Sequence, residues 1–299
     1  MKIAQVGMAS PFRWLQRALD VGRRHPQALF GGFAIFLVIA LLPTLLQLGL
    51  QLGLGLGPEA LLAVNGLTLL LSVFLLPPLF GGAFRLLHAC ESGQAPSALD
   101  VLAPYREPQT ALRLVLTALL IVLLYALAFG LLMLLPGGGF FADVMRIAAT
   151  TPPGAQPDVS GLVAPPSLLL WLLAAVFIAI VLGNAYMLAF AQAALGGRGP
   201  LLAVSEGLWA SLKNLLPFIA VFIAVVLGGF VLALLLVLVA AAVLGVLGMI
   251  SPVLAALVGV PLYFGLLLLI YVVMFGYYYH AWREIFGAVP PPLDDAIAA

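Results

Sequence analysis

From Leu215 to Phe275 the chain contains no Asp, Glu, Lys or Arg. As one helix this stretch would be about 90 Å long, three times the hydrocarbon core of a bilayer, so it has to fold back on itself. Glycine and proline cluster in GVLGMISP, Gly245 to Pro252. That cluster predicts a break separating one apolar span over about 212–247 from another over about 253–282. Both exceed the membrane thickness, so they tilt, kink or protrude.

The rest of the chain has the same character. Soluble domains carry about 25% charged residues. This chain carries 8%, with 65% hydrophobic residues and a mean hydropathy of +1.24. It cannot cover itself with a solvated surface and reads as an all-α integral membrane protein. The net charge of +1 supplies no dense basic face, which excludes a nucleic-acid partner. Cys90 is the only cysteine, so no intramolecular disulfide forms.

Four more apolar runs complete a six-span pattern, at about 28–53, 60–88, 110–135 and 168–194. The first is too long for a signal-peptide core and reads as an uncleaved span. Gly49, Gly53 and Gly57 recur every four residues near its end, a small-residue stripe that lets a neighbouring helix approach. The second contains PPLFGG, Pro77 to Gly82, which predicts a kink, either a hinge or a static bend. Between the third and fourth lies the proline-rich loop Pro136 to Pro166, with a short helix expected over Phe140 to Ala149.

Positive charge sets the orientation. Lys2, Arg13, Arg17, Arg23, Arg24, Arg85, Arg106, Arg113, Arg198, Lys213 and Arg283 fall on one side of the six-span pattern, and only Arg146 on the other. The positive-inside rule then places both termini in the cytoplasm, and the Ala, Leu and Gly richness suggests a high-GC bacterium.

Three segments on the charged side resemble one another: RALDVGRRHPQALFGGF (Arg17 to Phe33), SALDVLAPYREPQTALRLV (Ser97 to Val115) and LLAVSEGLWASLKNLLPFIAV (Leu201 to Val221). Each reads as a cytoplasmic interfacial amphipathic helix leading into a transmembrane hairpin. The fold expected is therefore three hairpins in one membrane domain, residues 1–288, as parallel repeat units over about 10–90, 91–196 and 197–286. The expected bundle has a pseudo-threefold axis along the membrane normal, followed by a cytoplasmic tail, 289–299. In the first interfacial helix Arg13, Gln16, Arg17, Asp20 and Arg24 share one face and Phe12, Leu15 and Leu19 another, with Trp14, Ala18 and Val21 flanking. In the third, Leu201, Val204, Leu208 and Leu212 form the apolar stripe, and Ser205, Glu206 and Ser211 face away.

Enzyme motifs are absent: there is no phosphate loop, HExxH, nucleophile elbow or paired carboxylate within a span. The span centres carry no ionisable group, unlike a proton relay. His25, His88 and His280 fall at the charged surface, and no ligand set for a metal or cofactor is expected. Two groups remain as candidates. Asp20, Arg24, Asp100, Tyr105, Arg106, Glu206 and Lys213 would form a cytoplasmic rim, either structural ion pairs and helix caps or a seat for lipid head groups or a membrane-protein partner. Asn65, Asn184 and Gln192 are polar positions within spans, for interhelical hydrogen bonds or a cavity lining.

At PSALDVLAPYRE (Pro96 to Glu107), at YHAWREIFG (Tyr279 to Gly287) and at the amphipathic start, the chain resembles uncharacterised bacterial six-span proteins. They include the membrane domain fused to some glycerophosphodiester phosphodiesterases and the YciC-type inner-membrane proteins. The resemblance implies a six-helix inner-membrane fold and no particular activity. This chain has no phosphodiesterase domain, so that activity does not carry over. Two functions follow as expectations: a structural or lipid-interacting membrane protein that is not an enzyme, or a transporter or channel for a lipid-like or apolar molecule.

Overall fold

The computed structural model describes residues 3–21, 23, 25–54, 58–151 and 156–287. Nine α-helices and one 3₁₀ helix are found among them: α1 Ser10–Asp20, α2 Pro26–Leu54, α3 Pro58–Glu91, the 3₁₀ helix Ala98–Arg106, α4 Pro108–Met133, α5 Gly138–Thr150, α6 Leu168–Ala194, α7 Pro200–Lys213, α8 Leu215–Ile250 and α9 Pro252–Phe286. There is no strand among these residues. Six helices, α2, α3, α4, α6, α8 and α9, are long and apolar enough to cross a membrane. They mark the chain as a multi-pass membrane protein.

Prolines start many of these helices. Pro108, Pro200 and Pro252 sit in the first turn, where the missing N–H has no intrahelical partner to lose. The uncharged stretch breaks at Ser251, whose extended backbone separates α8 from α9 while its N–H still donates to Leu247 O at 2.8 Å. α8 therefore starts and ends three residues later than the span expected over about 212–247. The helix in the long loop is longer than expected, Gly138–Thr150, and rests on α6 through Phe141 stacked on Trp171 at 5.2 Å.

The core lies at one end of the bundle, the end that carries most of the basic residues. Phe275 of α9 is its hub. Its ring centroid lies 5.2–5.5 Å from those of Phe33 and Phe36 on α2 and Phe80 and Phe84 on α3. Phe190 and Tyr186 of α6 extend the cluster through Phe80. Tilted aromatic pairs of this kind contribute about 0.5–1.5 kcal/mol each beyond the area they bury. Towards the other end the helices lose these neighbours, and long runs of α8 and α9 expose Leu, Val and Ile.

Three surface elements close the charged end, and each rests on a long helix. α1 packs chiefly against α9, the 3₁₀ helix against α3 and α2, and α7 against α6. Small residues let the backbones meet. A Cβ on Gly276 would stand 3.1 Å from the Ala18 Cβ, and one on Gly207 2.7 Å from Ala185 O. A Cβ on Gly82 would overlap the Val101 carbonyl outright. α3 runs through PPLFGG as continuous helix, so in this fold Gly82 admits the 3₁₀ helix. Gly49 and Gly53 have nothing within 4 Å of an added Cβ, so no neighbour among the described residues uses them; Gly57 lies outside the described residues.

These contacts reassign the faces of two surface helices. In α1 the side chains turned into the protein are Trp14, Ala18 and Val21, while Phe12 and Leu19 are 45% and 63% exposed. In α7 the inward face is Ala203, Gly207, Ala210 and Ser211, whereas Leu201 is 74% exposed. Ser211, expected to face away, is buried and donates its hydroxyl to Val181 O at 2.9 Å. In α7 small side chains permit the closest approach and take the contact, so the large apolar residues are left outside; in α1 Ala18 does the same beside Gly276, while Trp14 enters with its indole N–H accepted by Glu284. The middle element is a 3₁₀ helix rather than an amphipathic α-helix, with Pro104 inside it.

Candidate functional site

Five of the seven rim residues foreseen from sequence are held by partners within the protein. Asp20 pairs with Arg23 at 3.0 Å, both exposed. Asp100 caps its own helix: Ser97 N donates to Asp100 Oδ2 at 2.8 Å, and Leu99 N donates to Ser97 Oγ at 3.3 Å. The Tyr105 hydroxyl donates to Leu75 O, stitching the 3₁₀ helix to α3, and burial pushes it up to about 12. Arg106 is exposed and has no hydrogen-bond or ion-pair partner among the described residues. Arg24 lies outside the described residues.

Glu206 and Gln192 belong to one buried network. Gln192 Nε2 donates to Glu206 Oε2 at 2.6 Å, and Trp282 Nε1 donates to Gln192 Oε1 at 3.0 Å. Arg198 Nε lies 3.4 Å from the same Glu206 oxygen. Gln192 thus ties α6 to α7 and α9 and is fully buried between them. Lys213 donates to Ile3 O at 2.6 Å. Beside it Val6 N donates to Asn214 Oδ1 at 2.8 Å, and Ala4 N to Ile285 O at 2.8 Å. Lys213 and Asn214 therefore hold the N-terminal segment against the ends of α7 and α9.

Sequence reasoning missed Glu284. Its carboxylate accepts from Ser10 Oγ at 2.7 Å, Trp14 Nε1 at 2.7 Å and Arg13 at 3.2 Å, fastening α1 to α9. The signal was one acid inside the aromatic run YYYHAWREIF, one to two residues from which the apolar pattern ends. At the α3–α4 connection Arg85 pairs with Glu107 at 2.7 Å. That pair and the Thr110 hydroxyl hold the Glu107 carboxyl below the usual range.

Asn65 accepts from Gln47 Nε2 at 2.7 Å in an exposed bond between α2 and α3. Asn184 is different. Tyr278 donates to Asn184 Oδ1 at 3.0 Å, and Asn184 Nδ2 donates to Ile180 O at 2.7 Å. Both residues line a groove of about 870 Å³ between α1, α6, α8 and α9. Phe12, Leu15 and Leu19 of α1 form one end of it, and Leu236 and Leu266 lie along its lining. Tyr277 also lines it; its hydroxyl is buried and has no hydrogen-bond partner among the described residues. An apolar wall with a few polar groups is the usual composition of a ligand site.

The histidines do not gather. His88 Nδ1 lies 3.1 Å from the Tyr279 hydroxyl, and His280 is buried, its Nε2 without a hydrogen-bond partner among the described residues. Among the described residues no three His, Cys, Asp or Glu side chains are placed to hold a metal ion.

Comparison with protein-family models, curated proteins and solved structures returns no match.

Proposed function

We propose that this chain is a lipid-interacting, structural protein of a bacterial inner membrane, with both termini cytoplasmic and no catalytic role of its own. The observation that carries this reading is the division of α1 into three faces. Trp14 and Ala18 enter the protein, Phe12 and Leu19 stay exposed, and Arg17 lies on the exposed polar side without a hydrogen-bond or ion-pair partner among the described residues. A helix fastened along one face, with apolar and cationic faces left over, suits the bilayer interface. The unpartnered Arg106 offers a second cation on the same charged end, suited to anionic head groups.

The threefold repeat is part of the same proposal. α1 rests on α9, the 3₁₀ helix on α3 and α7 on α6, so each surface element rests on the long helix that closes the preceding unit, taken cyclically. The pairs α2–α3, α4–α6 and α8–α9 are in contact, as three hairpins require. The likeness to YciC-type proteins and to the phosphodiesterase-fused membrane domains agrees with this organisation and rests on the three sequence features alone.

The test is lipid co-purification. Chain extracted from vesicles of mixed phosphatidylglycerol and phosphatidylcholine should retain phosphatidylglycerol in excess of its bulk share, and Arg17→Ala with Arg106→Ala should abolish that excess. Retained lipid matching the bulk in the unmodified chain would overturn the reading.

The groove favours a second reading, transport of a lipid-like molecule. Proteoliposomes that move a fluorescent phospholipid between leaflets only when the chain is present would select it.

A further inference from the structure

The groove between α1, α6, α8 and α9 has three properties that converge on one ligand. The first is length. Leu266 and Tyr278 of α9 both line it and lie twelve residues apart, which is about 18 Å along a helix. One leaflet of a bilayer core is about 15 Å deep. The groove thus has the length of one acyl chain lying in one leaflet.

The second is polarity. The walls are Leu, Ile, Val and Phe side chains, and the polar groups gather at the end nearer the charged surface: Asn184, Tyr277 and Tyr278. Asn184 and Tyr278 satisfy each other. Tyr277 is 9% exposed, and its hydroxyl has no hydrogen-bond partner among the described residues. A buried hydroxyl without a partner costs free energy unless a ligand supplies an acceptor. An ester carbonyl at the head of an acyl chain is such an acceptor.

The third is charge. α1 forms the mouth; Arg13 is held by Glu284, and Asp20 by Arg23 beyond the helix end, which leaves Arg17 as the exposed cation of the helix. That cation suits a phosphate group above the chain.

We propose that the groove seats one acyl chain of a phospholipid taken from the surrounding leaflet, with the Tyr277 hydroxyl donating to its ester carbonyl and α1 lying beside its phosphate. This deepens the lipid-interacting reading and rests on it. The seat is lined on the α8 side by Gly228, where an added Cβ has nothing within 4 Å. Gly228→Phe therefore brings a ring into the groove from one wall.

The probe is phosphatidylcholine carrying a diazirine near the end of one acyl chain, mixed into phosphatidylglycerol vesicles holding the full chain. Photolabelled peptides should concentrate around Leu236 and Leu266. Gly228→Phe should reduce that labelling more than about tenfold, because a ring overfills the seat. Tyr277→Phe should reduce it about fivefold, the worth of one net hydrogen bond. Because it removes a single oxygen atom, it remains informative should Gly228→Phe not fold. Labelling spread equally over the exposed α4 leucines, such as Leu116 and Leu123, and undiminished in both variants would overturn the proposal in favour of annular lipid only. Groove labelling by a diazirine fatty acid but not by the phospholipid would overturn the phospholipid as occupant. A second probe, photoreactive at the phosphate, separates the two levels: labelling of α1 that persists when groove labelling is absent removes the groove seat alone, and loss of both removes the lipid-interacting reading as well.

Discussion

The indole Nε1 of Trp14 donates to Glu284 Oε2 at 2.7 Å, and this bond joins the first helix of the chain to the last. The Trp14 ring lies edge-on to Tyr277 at 5.7 Å and tilted against Phe218 at 5.9 Å, so one side chain links the surface helix, α8 and α9. The Ser10 hydroxyl and Arg13 converge on the other oxygen of the same carboxylate.

Glu284→Ala removes the acceptor of all three bonds. Hydrogen bonds to a charged group are worth about 1.5–3 kcal/mol, and the buried indole N–H would be left unpaired. The expected loss is about 2–3 kcal/mol, read as a lowered unfolding midpoint in detergent. Proteolysis near Val6 to Ser10 should speed up before the rest of the chain is cut. Unchanged protection of α1 would show that its apolar contacts suffice without Glu284.

Gly82→Ala and Gly53→Ala should part company. The first drives a Cβ into the Val101 carbonyl, which is backbone and cannot swing aside. The second adds a methyl group in open space. We expect Gly82→Ala to cost at least about 2 kcal/mol, in the range of overpacked cores. Gly53→Ala should stay within about 1 kcal/mol of the unmodified chain, the scale of the helix-propensity difference. Matching thermal midpoints for the two variants would contradict the close approach of the 3₁₀ helix to α3.

Gln192 and Trp282 should be coupled. Each is buried, and one bond of 3.0 Å connects them. In a double-mutant cycle, Gln192→Leu and Trp282→Phe should interact by about 0.5–3 kcal/mol, as residues sharing one hydrogen-bond network do. Additive effects would place the stabilisation elsewhere, in the Glu206 or Arg198 contacts.

Acid should loosen the α3–α4 connection. The Glu107 carboxyl is held low by hydrogen bonds from Arg85 and Thr110. A depressed carboxylate contributes stability above its unfolded pKa, roughly 4.3, and loses it as pH falls through the lower folded value. Both side chains are partly exposed, 27% for Arg85 and 47% for Glu107, so solvent screening keeps the contribution below about 1 kcal/mol. Glu107→Gln should flatten the stability profile below about pH 4.3 and leave the neutral plateau lowered by that amount. An unchanged acid limb would assign it to another carboxylate.

Much of the architecture was legible in the linear pattern because lipid imposes it locally. A backbone in hydrocarbon must satisfy its own hydrogen bonds, so each apolar run becomes a helix, and Leu168–Ala194 begins and ends where hydropathy alone places it. The candidate site was legible only in part. Asn184 stood out as a polar residue in a span, but its pairing with Tyr278 joins α6 to α9 across 94 positions of sequence. Glu284 looked like one charge in an aromatic belt, and nothing nearby in sequence announces that Ser10 and Trp14 meet it.

Sequence alone determined that the chain carries six helices able to cross a membrane, and that its basic residues gather at one end, because composition and run length decide what hydrocarbon will accept. Tertiary structure alone decided which faces of those helices meet. In lipid the surroundings are as apolar as the core, so hydrophobicity does not choose the inward face; close contact does. Ala18 against Gly276, Gly82 against Val101 and Gly207 against Ala185 win that choice by being small. Phe12 and Leu19, which α1 leaves exposed on its other side, line the groove beside the half-buried Leu15.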